Sequence, residues 1–135
     1  VRAKNSAGGC TENCAGIVSE DPAALYVPQT IAGKSAMLHE CHIAVWDTIA
    51  SCDITGASDA SITNVVPNDL SVILDAADIR AIFCNGAKSH ELYMKYILPG
   101  TGRPAVKLPS TSPANAACSV PKLTAAWSAV ADFLL

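Results

Sequence analysis

Apolar residues along this 135-residue chain come in short, separated runs whose internal period switches between strand-like and helix-like. Residues 43–46 form an unbroken apolar stretch ending at Asp47, the pattern of a strand buried on both faces with a polar group at its carboxyl end. Residues 79–84, interrupted by Arg80, and 105–108, interrupted by Lys107, predict two more strands, the first closed by Asn85-Gly86 and the second opening into Pro109. Between them the period is helical. Ala36, Met37, Leu38 and Cys41 stand at helical spacing; Asn68 is placed to cap a helix whose Leu70, Ile73, Leu74 and Ala77 form one stripe. Leu92, Tyr93, Tyr96 and Ile97 share a face of a third helix, with Glu91 four residues ahead of Lys95 as an expected ion pair and His90 as a solvent-facing residue. Pro99-Gly100-Thr101-Gly102 stops that helix. Ser119 then opens a last one carrying Leu123, Trp127, Val130 and Leu134 as a core-facing stripe. Residues 51–63, small and polar around Gly56, predict a long loop, and residues 1–26 show no sustained period.

Strands alternating with helices predict an α/β fold, a three-layer α/β/α sandwich around a short parallel sheet. The length suits one domain, expected over residues 27–135 behind an irregular segment 1–26. In such sheets ligands bind outside the carboxyl ends of the strands, where Asp47, Asn85 and the loop 108–116 all fall. Asp47 is therefore a candidate site residue, although a strand-end Asp also serves to cap a following turn. In the loop, Pro109 and Pro113 fix φ and remove backbone donors. Ser110, Thr111, Ser112 and Asn115 offer hydroxyls, an amide and backbone N–H groups that suit a phosphate backbone. An ordinary Ser/Pro connection has the same composition.

Half of the residues are apolar and 16% are charged, a globular balance that excludes a disordered chain. No apolar run approaches the roughly 20 residues needed to span a bilayer, and no basic-then-apolar leader opens the sequence, so an intracellular, soluble protein is expected. The net charge of −3 argues against a nucleic-acid partner, but its distribution argues for one. From residue 93 to 131 stand Lys95, Arg103, Lys107 and Lys122 with no acidic residue, and the Ser/Pro loop lies inside that window. Of the six cysteines, Cys10 and Cys14 could join His39, Cys41 and His42 around a metal. The spacings lack paired C-x-x-C, so free thiols and no metal are expected.

Five blocks, taken in order, resemble the uracil-DNA glycosylase superfamily, and most closely its DNA-deoxyinosine (hypoxanthine) glycosylase branch. They are residues 33–38 (Gly-Lys-Ser-Ala-Met-Leu), 42–52 (His-Ile-Ala-Val-Trp-Asp-Thr-Ile-Ala-Ser-Cys), 56–62 (Gly-Ala-Ser-Asp-Ala-Ser-Ile), 82–86 (Ile-Phe-Cys-Asn-Gly) and 108–116 (Leu-Pro-Ser-Thr-Ser-Pro-Ala-Asn-Ala). The resemblance implies an enzyme that needs no cofactor. It would flip a deaminated base, hypoxanthine or else uracil, out of double-stranded DNA and hydrolyse its N-glycosidic bond. It implies that Asp47 reads the flipped base and assists catalysis, that Asn85 lines the base pocket, and that Ser110, Thr111, Ser112, Asn115, Lys107 and Arg103 hold DNA.

The family's amino-terminal motif is where this sequence departs. A first strand, a Gly/Pro loop and an Asn in a His-x-x-Asn-x-Phe-Trp setting are expected there, and only Ala3-Lys4-Asn5-Ser6 echoes them, with Asn5 as the candidate catalytic asparagine. Residues 7–14, back-translated with permitted codons and read in another frame, give Trp-Arg-Met-Tyr-Gly-Glu-Leu, which looks like the family's next helix. With the first strand absent, a neighbouring strand would present an open edge. The expectation is then a marginal fold, monomeric if intact and edge-paired as a dimer otherwise. The alternative function is a catalytically dead DNA-binding or structural relic of the same fold.

Overall fold

The computed structural model of the chain describes residues 28–56 and 58–134. Asn5 and the whole of the expected irregular segment lie outside the described residues. Helices and strands alternate in an α/β arrangement, and the described residues fall into two compact units, Val45–Ser110 and residues 28–44 with 111–134.

The first unit contains two small sheets. Strands β1 (Ile49–Asp53) and β2 (Thr63–Pro67) pair antiparallel from Ile49 opposite Pro67 to Asp53 opposite Thr63, with two irregularities of register. Asn64 takes a positive φ of 50°, and its amide donates to Asp53 Oδ2 at 2.6 Å across the pair. After the single turn of α2 (Ser71–Leu74) comes β3 (Phe83–Asn85), followed by a helical run of α3 (Ala87–Leu92), a π-helical segment Tyr93–Ile97 and α4 (Leu98–Thr101). Gly102, at φ 64°, ends the run and returns the chain to β4 (Val106–Leu108), which lies parallel to β3 with Phe83 opposite Val106 and Asn85 opposite Leu108. A strand, a helical crossover and a parallel strand are what the alternation of periods predicts.

Several expectations are corrected here. Residues 43–46 are not a strand: they follow His42, whose φ of 55° turns the chain, and Trp46 anchors them by donating from Nε1 to the Asp69 carbonyl at 3.2 Å. The strand of this region begins later, at Ile49, runs through residues 51–53, which were expected to open a loop, and pairs with β2. The N-cap of α2 is Leu70 and not Asn68; Asp69, one residue ahead of it, accepts the Ser71 N–H on Oδ1 at 2.9 Å. Bonds from the Ser71 side chain and backbone hold the Asp69 carboxyl below its ordinary value of 3.8. Glu91 pairs with Lys88 at 3.1 Å and not with Lys95, whose ammonium lies 5.0 Å from the Tyr96 ring centroid.

Leu70, Ile82, Cys84, Tyr93 and Ile97 form one core cluster, to which Trp46, Ile73, Leu74 and Ile79 add partly buried area. Ile49, Cys52 and Leu92 form a second, flanked by Ile62, Val65 and Tyr96, and this one seats the β1–β2 hairpin on the helical run.

The second unit contains α1 (Ile31–Glu40), capped by Thr30 Oγ1 accepting the Gly33 N–H at 3.0 Å, and α5 (Val120–Trp127), which opens at Ser119 and continues as a 3-10 turn Ser128–Phe133. Of the expected stripe on that last segment, Val130 is buried while Leu123, Trp127 and Leu134 are half-buried. Among the described residues no helix is long and apolar enough to cross a membrane.

Candidate functional site

Strands β3 and β4 end side by side, and the turn that leaves β3 is tied to the last residue of β4. The Gly86 N–H donates to the Leu108 carbonyl at 2.9 Å, extending the parallel pairing by one bond past Asn85. Gly86 then turns at φ 96°, ψ 164°, a conformation that L side chains rarely adopt. A Cβ at this position would stand 3.1 Å from the Ser110 Cβ, so the absence of a side chain is what lets Ser110 lie against the turn. Asn85 and Ser110, both half-buried, thus flank one glycine at the carboxyl end of the pair.

Asp47 stands where periodicity did not suggest. It precedes β1, standing at that strand's amino end and not at a carboxyl end as expected. Its neighbour Thr48 is 1% exposed, and Thr48 Oγ1 lies 3.0 Å from the hydroxyl of Ser89, 6% exposed, in the first turn of α3. Ser89 also bonds the thiol of Cys84, whose pKa burial pushes above its ordinary 9.0. Thr48 and Ser89 were missed in the sequence. Their one available signal is a hydroxyl beside a candidate acid and another beside the Asn-Gly turn.

The other expected site residues are distributed more widely. Arg103 lies ahead of β4, and its guanidinium donates to the Ile79 carbonyl, ahead of β3. That places its charged head at the amino end of the strand pair, away from Asn85 and Ser110. Lys107 is exposed in the middle of β4, opposite Cys84. The boundary between the two compact units falls between Ser110 and Thr111. In the second unit Ser112 organises a turn, its Oγ accepting the Ala114 N–H at 3.3 Å and its carbonyl the Asn115 N–H at 2.9 Å. The Asn115 carbonyl in turn accepts from Cys118 N at 3.2 Å; Thr111 and Asn115 are half-buried and Ser112 is exposed. His90, expected to face solvent, is partly buried with Nε2 3.1 Å from the Ala105 carbonyl.

Cys41, Cys52, Cys84 and Cys118 are free thiols, and no three or more of the described His, Cys, Asp or Glu residues gather as a metal would require. Compared with protein families, curated proteins and solved structures, the chain yields no match.

Proposed function

We propose that this chain is a DNA glycosylase of the deoxyinosine type, which extrudes a deaminated base from duplex DNA and hydrolyses its N-glycosidic bond, and that its strands belong to a three-layer α/β/α sandwich. The observation that carries the reading is the meeting of Asn85, Gly86 and Ser110 at the carboxyl ends of two parallel strands. Ligands bind at that end of such sheets, and the residues brought together there come from two of the five blocks on which the family resemblance rests.

The chemistry of those residues fits the substrate. Deamination of adenine leaves a carbonyl oxygen beside a protonated ring nitrogen, and an asparagine amide offers one donor group and one acceptor to match them. Extrusion costs a few kcal/mol and least for a mispaired base. As the bond to the base breaks, positive charge develops on the sugar, and a carboxylate such as that of Asp47 stabilises it or orients the attacking water. Ser110 supplies an uncharged donor for a flanking phosphate, with Lys107 adding charge. The family resemblance adds Asn5, outside the described residues, as the catalytic asparagine.

The test is single-turnover incubation of the chain with a duplex carrying one deoxyinosine opposite thymine, followed by alkaline cleavage at abasic sites. Release of hypoxanthine is expected, lowered by Asp47→Asn and Asn85→Ala. Tight binding without release would make the chain the DNA-binding relic, and neither binding nor release would end the proposal.

A further inference from the structure

A nucleic-acid site at the carboxyl end of the β3–β4 pair needs positive charge at that end. Of the cations expected to hold DNA, Arg103 turns its guanidinium to the amino end and Lys107 stands in mid-strand opposite Cys84. Lys88 was not among them, yet the fold sets it at the level of Asn85 and Ser110. It is the second residue of α3, the helix that leaves the Gly86 turn, and the three residues of chain from Asn85 to Lys88 span at most roughly 10 Å. Its side chain is 29% exposed, so much of the stem packs on the protein while the ammonium bonds both carboxylate oxygens of Glu91, at 3.1 and 3.2 Å. The Glu91 side chain is 62% exposed. A pair so open to water, three residues apart on a helix, adds little to stability. A DNA phosphate offers the same ammonium the same charge-assisted bond and releases counterions besides. The exchange of one partner for the other is therefore favourable.

We propose that Lys88 is the phosphate-binding cation of the carboxyl-end site, and that it exchanges Glu91 for a phosphate beside the extruded nucleotide. This rests on the glycosylase reading above. Lys88 supplies binding and no base chemistry; Glu91 competes with the phosphate, so the two residues act in opposite directions.

The test is fluorescence anisotropy of a labelled duplex with one deoxyinosine opposite thymine, titrated with the full chain over a range of salt. Lys88→Ala should weaken binding about 5- to 20-fold at low salt and lower the slope of log affinity against log salt by about one phosphate equivalent. Lys88→Arg should keep the slope, and Glu91→Gln should tighten binding several-fold, a gain that shrinks once Lys88 is alanine. Lys95→Ala is the control: it lies seven residues along the same helical run with its ammonium over Tyr96, and its slope should match the parent's. An unchanged slope in Lys88→Ala overturns the proposal. So do equal losses in Lys88→Ala and Lys95→Ala, because a general field and not a contact behaves that way. A parent that binds but releases no base sinks the catalytic reading and leaves the Lys88 contact to these slopes; a parent that does not bind the duplex ends both.

Discussion

The two ends of the β3–β4 pair are built from different materials. At the amino end, long side chains close on backbone carbonyls: the Arg103 guanidinium on Ile79, the Tyr93 hydroxyl on Arg103 at 2.7 Å and the His90 ring on Ala105. At the carboxyl end the chain uses a glycine, a serine and backbone bonds, leaving the Asn85 and Ser110 side chains half-buried. One end ties loops that lie far apart in sequence, and the other keeps small polar groups near the surface. A strand pair three residues long thus has one end closed by long side chains and one left to small polar groups.

The largest effect that would sharpen this contrast is at Tyr93, which is fully buried. Tyr93→Ala should cost about 3–5 kcal/mol of folding stability in chemical denaturation, a large share of what a domain of this size has. Gly86→Ala comes next. Its positive φ and the close Ser110 Cβ should cost about 1–3 kcal/mol and lower base release beyond the loss of folded protein. Gly100→Ala, where the added Cβ meets nothing within 4 Å, is the matched control and should leave both unchanged or raise stability slightly. Equal responses at the two glycines would erase the distinction between the ends.

The cations divide in the same way. Arg103→Met should cost about 1–3 kcal/mol and leave the salt dependence of DNA binding as it was. Lys107→Ala should leave Tm unchanged and reduce the slope of affinity against salt by about one phosphate equivalent. The reverse pattern would move the DNA to the amino end. The smallest effect is at Cys84. Its folded pKa is raised by burial, so the neutral thiol's contribution is fully present below the unfolded value and is lost as pH rises through the folded one. Tm should therefore decline above about pH 9 more steeply in the parent than in Cys84→Ala, and parallel curves would show that the thiol ionises freely.

What could be anticipated from the sequence tracks burial. Ile82, Cys84 and Leu108 are buried where apolar runs predict strands, and Leu92, Tyr93 and Ile97 are buried where a helical face is predicted. The β1–β2 hairpin was hidden because Ser51, Asp53, Thr63 and Asn64 face outward, which leaves too few apolar positions to set a period of two. The apolar run at residues 43–46 misled for the converse reason: Trp46 is held by a side-chain bond to Asp69 outside any ladder. Arg103 stands among other cations in the sequence, but its carbonyl partner lies 24 residues away, where no local pattern reaches. The turn at Asn85-Gly86 was identifiable because turn chemistry is local, whereas the Thr48–Ser89 bond spans 41 residues and needed the fold to be seen.

The bond from the Gly86 N–H to the Leu108 carbonyl also bears on how the protein ages. An asparagine followed by glycine is the pair most prone to lose ammonia, through attack of the glycine nitrogen on the asparagine side-chain carbonyl to form a cyclic imide that water opens to aspartate or isoaspartate. In the folded chain that nitrogen is already engaged at 2.9 Å on the neighbouring strand and cannot swing toward Asn85. Storage under conditions that fray β4 should therefore inactivate the protein chemically before it visibly unfolds, through a new negative charge at position 85 beside Ser110, detectable by mass in the tryptic fragment of residues 81–88.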